Sequence, residues 1–260
     1  MNPLAQAAVL AVSLFVALVL AQFLGLWLGR RRLARLGKED AGGFGAIDGA
    51  VFALLGLLIA FTFTGASSRF DHRRHLIVEQ VNALGTAWLR IDLLPTADRG
   101  PIRDLMRRYI AGVAAGGTAS RDPERLAALV AELRGLEVEI WRKAVESADR
   151  DGRPQVASLL LPALNQSFDL SNSRLSATRL KMAPGIMGLL IGLAVLAGLL
   201  AGHGQAANKR PDALHILIFA ALLSFTLYFI IDFEHPRLGQ ITVDASDQFL
   251  AELLANLDRP

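Results

Sequence analysis

The sequence predicts an all-α membrane protein: four transmembrane helices with a helical extramembrane domain inserted between spans two and three. Three observations carry this. Four apolar runs are each long enough to cross a hydrocarbon core of about 30 Å. Between the second and third runs, apolar side chains recur at helical spacing. Residues 51–94 (VFALLGLLIAFTFTGASSRFDHRRHLIVEQVNALGTAWLRIDLL) pass from an apolar run through a cationic knot into an amphipathic stretch with no proline before Pro95. The expected organisation is residues 1–66 for spans one and two, 67–183 for the domain, 184–232 for spans three and four, and 233–260 for a tail. This implies a multi-pass protein of the cell membrane.

The totals agree and exclude several classes. Of 260 residues, 53% are hydrophobic although 20% are charged, which suits a membrane protein with a large water-exposed part. The 27 basic residues exceed the 24 acidic ones by only three. The excess flanks apolar runs, so nucleic acid is not an expected partner and the lipid bilayer is. Without cysteine there is no disulfide, thiolate nucleophile or cysteine-ligated zinc.

Residues 4–28 are uncharged and are stopped by Arg30, Arg31 and Arg32. Val19-Leu20-Ala21 resembles a signal cleavage site. However, Met1-Asn2-Pro3 carries no cation and the run exceeds a signal's apolar core, so a retained span is expected. Residues 40–45 (DAGGFG) form a turn before a second span over residues 46–66. Asp48 near its start is expected at headgroup depth, as a first-turn acid on the helix dipole. His72, His75 and Glu79 have spacing that permits a metal ligand set, but Arg73 and Arg74 between the histidines repel a cation. A basic collar at the membrane boundary is therefore expected, with no metal.

Beyond the collar, Ile77, Val81, Leu84, Trp88 and Ile91 recur at spacings of four and three, a seam that needs a helix laid along it. The spacing does not distinguish packing within a bundle from packing between subunits. Thr96 is a candidate cap for a helix burying Ile102, Leu105, Met106, Tyr109, Ile110 and Val113, which residues 114–120 (AAGGTAS) would end. Asp122 then Pro123 reads as an N-cap and first-turn proline, opening a helix to about residue 147 with Leu126, Leu129, Val130, Leu133, Ile140 and Trp141 on its apolar face. Residues 149–154 (DRDGRP) read as a hinge. A last helix carries Leu159, Leu160, Leu164, Phe168, Leu175 and Leu180, with Pro162 bending its first turns.

The third span, residues 184–201, holds Gly188-x-x-x-Gly192, and Gly198 pairs with Gly202 at the same spacing. Such small faces let two helices approach closely in lipid, from the same chain or from a neighbour. The fourth span covers residues 213–231, with His215 one turn inside at interfacial depth. Asp232 and Glu234 follow, then a short extended piece over residues 240–244. A terminal amphipathic helix is capped by Ser246, with Phe249, Leu250, Leu253, Leu254 and Leu257 on one side.

Four crossings bring the exits of spans two and four and the entry of span three to one side. This predicts an interfacial charge ring of Arg69, Arg73, Arg74, Arg174, Arg179, Asp232 and Glu234, its acids docking the tail. The ring's role would be geometry rather than energy. Orientation is nearly balanced. The short loops hold Arg30, Arg31, Arg32, Arg35, Lys38, Lys209 and Arg210, against Arg69, Arg73, Arg74, Arg174, Arg179, Lys181 and Arg237 opposite. The first span's weight favours the short loops inside.

The run GLLIAFTFTGASSRFDHRRHLIVEQVNALGTAWLRIDLLP, with DFEHPRLGQITVD after the last span, resembles the bestrophin-like domain proteins of bacterial and plant membranes. The resemblance implies a distant analogy to bestrophins, which are pentameric anion channels with two spans, a helical segment, two more spans and an acidic tail. It implies a cytoplasmic domain, opposite to the charge-based orientation. It also implies a pore neck on the second span, where Leu55, Ile59 and Phe63 stand at i, i+4 and i+8. No calcium-clasp motif matches, and His235 interrupts the acidic tail.

Two functions follow. The first is a homo-oligomeric ion channel for inorganic anions, fed by the arginines. The second is a non-conducting scaffold or sensor whose helical domain binds a protein partner. No nucleophile elbow, phosphate loop, paired-carboxylate pattern or cofactor motif is present, so the chain is not expected to be an enzyme or to hold a cofactor.

Overall fold

The computed structural model describes residues 3–36, 45–120, 122–180, 182–208, 211–234 and 244–257. Among them the chain is helical: α1 (Pro3–Leu36), α2 (Gly45–Arg90), a 3-10 turn (Ile91–Leu93), α3 (Thr96–Ala119), α4 (Pro123–Asp151), α5 (Pro154–Arg179), α6 (Pro184–Gly204), α7 (Ala213–Glu234) and α8 (Asp244–Asn256). The expected turn at residues 40–45 and the extended piece before α8 fall almost wholly outside the described residues. Four helical segments, those holding α1, α2, α6 and α7, are long and apolar enough to cross a membrane. The chain divides into two compact units, Met1–Phe70 with Lys181–Ile241, and Asp71–Leu180 with Thr242–Pro260.

The first unit is built from the apolar helices. Its core contains Leu18, Leu55, Ala66, Leu190, Ala194, Ala197, Ala220, Leu223, Leu227 and Ile230. Four of these ten are alanines, small enough to let backbones close up where lipid supplies no hydrophobic drive between helices. A β-carbon on Gly202 would lie 1.9 Å from the Gln22 carbonyl oxygen, and one on Gly25 would lie 1.9 Å from that of Leu199. The Gly198–Gly202 face therefore meets α1 of the same chain, and Gly25 with Gly29 answers it from the other side. No atom outside α6's own backbone comes within 4 Å of a methyl placed on Gly188 or Gly192. Polar side chains add ties: buried Gln22 donates to the Ile216 carbonyl at 3.0 Å, and Ser224 donates to the Ala11 carbonyl at 2.9 Å.

In the second unit the end of α2 packs with α3, α4, α5 and α8. Leu84, Trp88, Ile91, Met106, Tyr109, Ile110, Ile140, Leu160, Leu164 and Leu250 share one core. The α2 seam is thus filled from within the chain: Ile77, Leu84, Trp88 and Ile91 are buried, and the Trp88 indole donates to the Leu257 carbonyl at 2.9 Å. All six apolar residues expected on α3 are buried. Asp122 caps α4, its Oδ1 accepting from the backbone N–H groups of Glu124 (3.0 Å) and Arg125 (3.2 Å).

Several local expectations are corrected. Thr96 is the first helical residue of α3 rather than its cap, which is Pro95. The end of α3 at Ala119 falls within the expected residues 114–120, just past Gly116 and Gly117. The expected hinge at 149–154 shrinks to Gly152 and Arg153. Gly152 closes α4 at φ 67°, a left-handed conformation glycine adopts without strain, and Pro154 opens α5. Trp141 faces outward, 39% exposed, beside Val138 at 69%. Leu159 is also exposed, while the following leucine, Leu160, takes the core position. The last helix begins at Asp244, ahead of Ser246.

Candidate functional site

The ring residues divide between the two units. In the first, α7 does not end at residue 231 but carries Asp232 and Glu234 in its final turn, both buried. A buried carboxylate needs charge-assisted partners. Glu234 has them: the Arg69 guanidinium donates through Nε at 2.8 Å and through its terminal nitrogen, and the Met182 backbone N–H donates at 2.9 Å. The expected pairing of Glu234 with Arg69 thus holds the end of α7 to α2 and to the backbone at Met182. Tyr228 donates to Asp232 across 3.4 Å. Phe233 stacks edge-to-face with Phe63 (5.6 Å) and with Phe70 (5.4 Å).

In the second unit Arg73 is buried, and its guanidinium donates to the carbonyls of Ala177 at 3.2 Å and Leu180 at 2.8 Å. A cation here satisfies carbonyls that the end of α5 leaves without intrahelical donors, and it meets the negative end of the helix dipole. Arg74 lies 3.8 Å from Asp71 on the exposed side. Arg174 donates to the side-chain carbonyl of buried Gln80. Arg179 is exposed in the last turn of α5. Lys181, His235 and Arg237 lie outside the described residues.

The remaining candidates occupy simpler places. Asp48 sits in the first turn of α2. His75 and Glu79 approach within 3.5 Å, both well exposed. No trio of potential metal ligands gathers among the described residues. His215 is exposed in the first turn of α7, where Asp212 accepts from its backbone N–H.

Of the pore candidates, Leu55 is buried in the first unit's core, Ile59 is half-buried against it, and Phe63 is 41% exposed. The three therefore run from the inner face of α2 to its edge and do not share one free face. The outward face carries Leu54, Leu57 and Phe61, exposed by 54%, 53% and 67%.

One group was not foreseen. Tyr109 in α3 is buried, and its hydroxyl meets Glu137 of α4 at 2.8 Å and Ser171 of α5 at 2.6 Å. Gln80 of α2 donates to the same Ser171 hydroxyl. The only sequence signals were a tyrosine on the buried stripe of α3 and a glutamine, Gln80, set between Ile77 and Val81 of the α2 seam.

Residues 16–248 match the Bestrophin-like domain family. No curated protein matches the chain. Solved structures similar in fold include a tyrosine-to-alanine variant of a bacterial bestrophin homologue from Klebsiella pneumoniae, at TM-score 0.68 and 14% identity, covering 95% of this chain and 98% of that one. An isoleucine-to-threonine variant of the same homologue gives TM-score 0.69 at 14% identity, with coverages of 95% and 98%. A membrane protein carrying a serine-to-alanine substitution gives TM-score 0.69 at 13% identity, with coverages of 96% and 97%. With the match spanning most of its length, the chain belongs to the bestrophin-like family.

Proposed function

We propose that the protein is a homo-oligomeric channel for inorganic anions and not an enzyme, with α3, α4 and α5 outside the membrane between the second and third spans. The observation that carries the reading is the poor cover of α2. Only 11% of its most apolar window is buried, against 28% for α1, 28% for the segment containing α6 and 39% for α7. The second span thus offers its far side to something the single chain lacks, and a pore shared between copies uses such a face. Phe63, at the edge of that face, narrows the conduit, while Leu55 holds α2 to its own bundle. The exposed guanidinium groups of Arg74 and Arg179 raise the local concentration of anions. Proteoliposomes loaded with chloride test this: rapid efflux on adding the protein supports the channel, and retention equal to that of empty vesicles contradicts it.

A scaffold role has one observation of its own, the outward Val138 and Trp141 on α4, which suit a protein partner. Cross-linking in native membranes that recovers one defined heterologous partner favours that role, and recovery of self-contacts alone opposes it.

A further inference from the structure

The side chains joining the four long helices of the second unit form a hydrogen-bond chain with a charge at each end. Arg174, held protonated by its guanidinium chemistry, donates to the Gln80 side-chain carbonyl. The Gln80 amide donates to the Ser171 hydroxyl oxygen. Tyr109 donates to Glu137 at 2.8 Å. The Tyr109–Ser171 contact at 2.6 Å is open to either donor. With Glu137 ionised, the tyrosine proton is committed to the carboxylate, so Ser171 must donate to Tyr109. Every donor then points from the cation to the anion.

A second arrangement is available without moving a heavy atom. Ser171 also lies 3.2 Å from the Ser167 carbonyl, and its oxygen has two lone pairs. If Glu137 carries a proton, it donates to Tyr109, Tyr109 donates to Ser171, and Ser171 turns its own proton to Ser167. Every partner is kept and two bonds reverse. We propose that this chain is a proton-responsive switch, in which protonation of Glu137 reverses the direction of hydrogen bonding through Tyr109 and Ser171.

The surroundings bring that event toward neutral pH. Burial raises the Glu137 pKa first and foremost; the Tyr109 hydroxyl and Arg134 on its own helix pull it down, and Asp169 of α5 pushes it up, the net shift being upward. Burial pushes the Tyr109 phenol far above its ordinary range, so it stays a neutral O–H donor throughout. Arg174 faces the chain from α5, and α2 contributes the neutral Gln80. Asp169 also lines an open groove of about 600 Å³ with Glu79, Asn82 and Asn165.

The inference does not depend on conduction and is read on solubilised protein. The chain has two tyrosines, so Tyr228→Phe leaves Tyr109 as the sole reporter. Its ultraviolet resonance Raman Fermi doublet distinguishes a hydroxyl that donates to an anion from one that accepts. Across a titration from pH 8 down past the ordinary 4.5, the doublet is expected to change with a midpoint above that value. Adding Glu137→Gln abolishes the change, Asp169→Asn moves the midpoint down, and Arg134→Gln moves it up. A doublet that never changes, or one that titrates unaltered in Glu137→Gln, overturns the switch. If Glu137→Gln does not fold, the two charge variants decide, and a midpoint that neither moves overturns it equally.

Discussion

A methyl group at Gly202 would sit 1.9 Å from the Gln22 carbonyl oxygen, whereas ordinary contact begins at 3.4 Å. Neither partner is the tip of a flexible side chain, so relief requires α1 and α6 to part by roughly 1.5 Å, a gap that forfeits most of the dispersion contact between them. Overpacking of this kind costs about 3 kcal/mol, offset by about 1 kcal/mol from the better helix propensity of alanine. Gly202→Ala is thus expected to lose about 2 kcal/mol or more, and Gly25→Ala, facing the Leu199 carbonyl at the same 1.9 Å, behaves alike. Gly198→Ala meets its nearest neighbour at 3.5 Å, while Gly188→Ala and Gly192→Ala meet nothing within 4 Å. These three keep the propensity gain and lose nothing within the chain. Thermal unfolding in detergent, followed by tryptophan fluorescence, should place the first pair roughly 5 °C or more below the wild type and the other three at or above it. If Gly202→Ala and Gly25→Ala unfolded together with Gly188→Ala, the proposed close approach of α1 and α6 would be wrong.

Arg69→Ala leaves the buried Glu234 carboxylate with the Met182 amide among its remaining donors; because Arg69 is one-third exposed, the cost is about 2 kcal/mol rather than the 3–5 of a fully buried pair. Glu234→Gln costs less, since it keeps an acceptor for Met182 and leaves no buried anion; unfolding midpoints in the reverse order contradict the assignment. Asp122→Ala removes the cap of α4 at about 1 kcal/mol, seen as faster hydrogen exchange at the Glu124 and Arg125 amides, and unchanged exchange there refutes the cap. Acidification relieves the burial penalty on Glu137. Its folded pKa is raised, so its contribution to stability is greatest below the ordinary glutamate range and is lost as pH rises through the folded value. Glu137→Gln should flatten that part of the pH–stability curve. Phe63→Ala should raise unitary conductance several-fold, and an unchanged conductance removes Phe63 from the pore.

What was legible in the sequence was mostly what repeats. Six of the seven buried residues of α3, Ile102 to Val113, follow a 3.6-residue period, and the Asp122-Pro123 start of α4 is local chemistry that tertiary packing has no reason to override. Where apolar residues occupy more than one face, periodicity failed. Leu159, Leu160 and Leu161 are consecutive and define no face. On α4, Trp141 adjoins the buried Ile140 but points away from the core. Glycine alone does not mark a helix end: Gly116 and Gly117 weaken a helix without removing its hydrogen bonds, so α3 runs through them, whereas Gly152 supplies a positive φ and ends one. The glycine face of α6 was visible, but Gly25-x-x-x-Gly29 on α1, its counterpart at the same spacing, was passed over. The site was harder. The Arg69–Glu234 pairing followed from counting crossings, but the partners of Arg73 are backbone carbonyls, which carry no residue-specific signal. The Tyr109 chain joins residues 28 and 62 positions apart, and only packing reveals that.

Current recorded across planar bilayers containing the purified full-length protein tests the central claim most directly. Discrete openings are expected, with a reversal potential that follows the chloride gradient. Silent bilayers from folded, oligomeric protein across varied salts and voltages would contradict the channel, and a reversal potential that follows the cation gradient would contradict its anion selectivity.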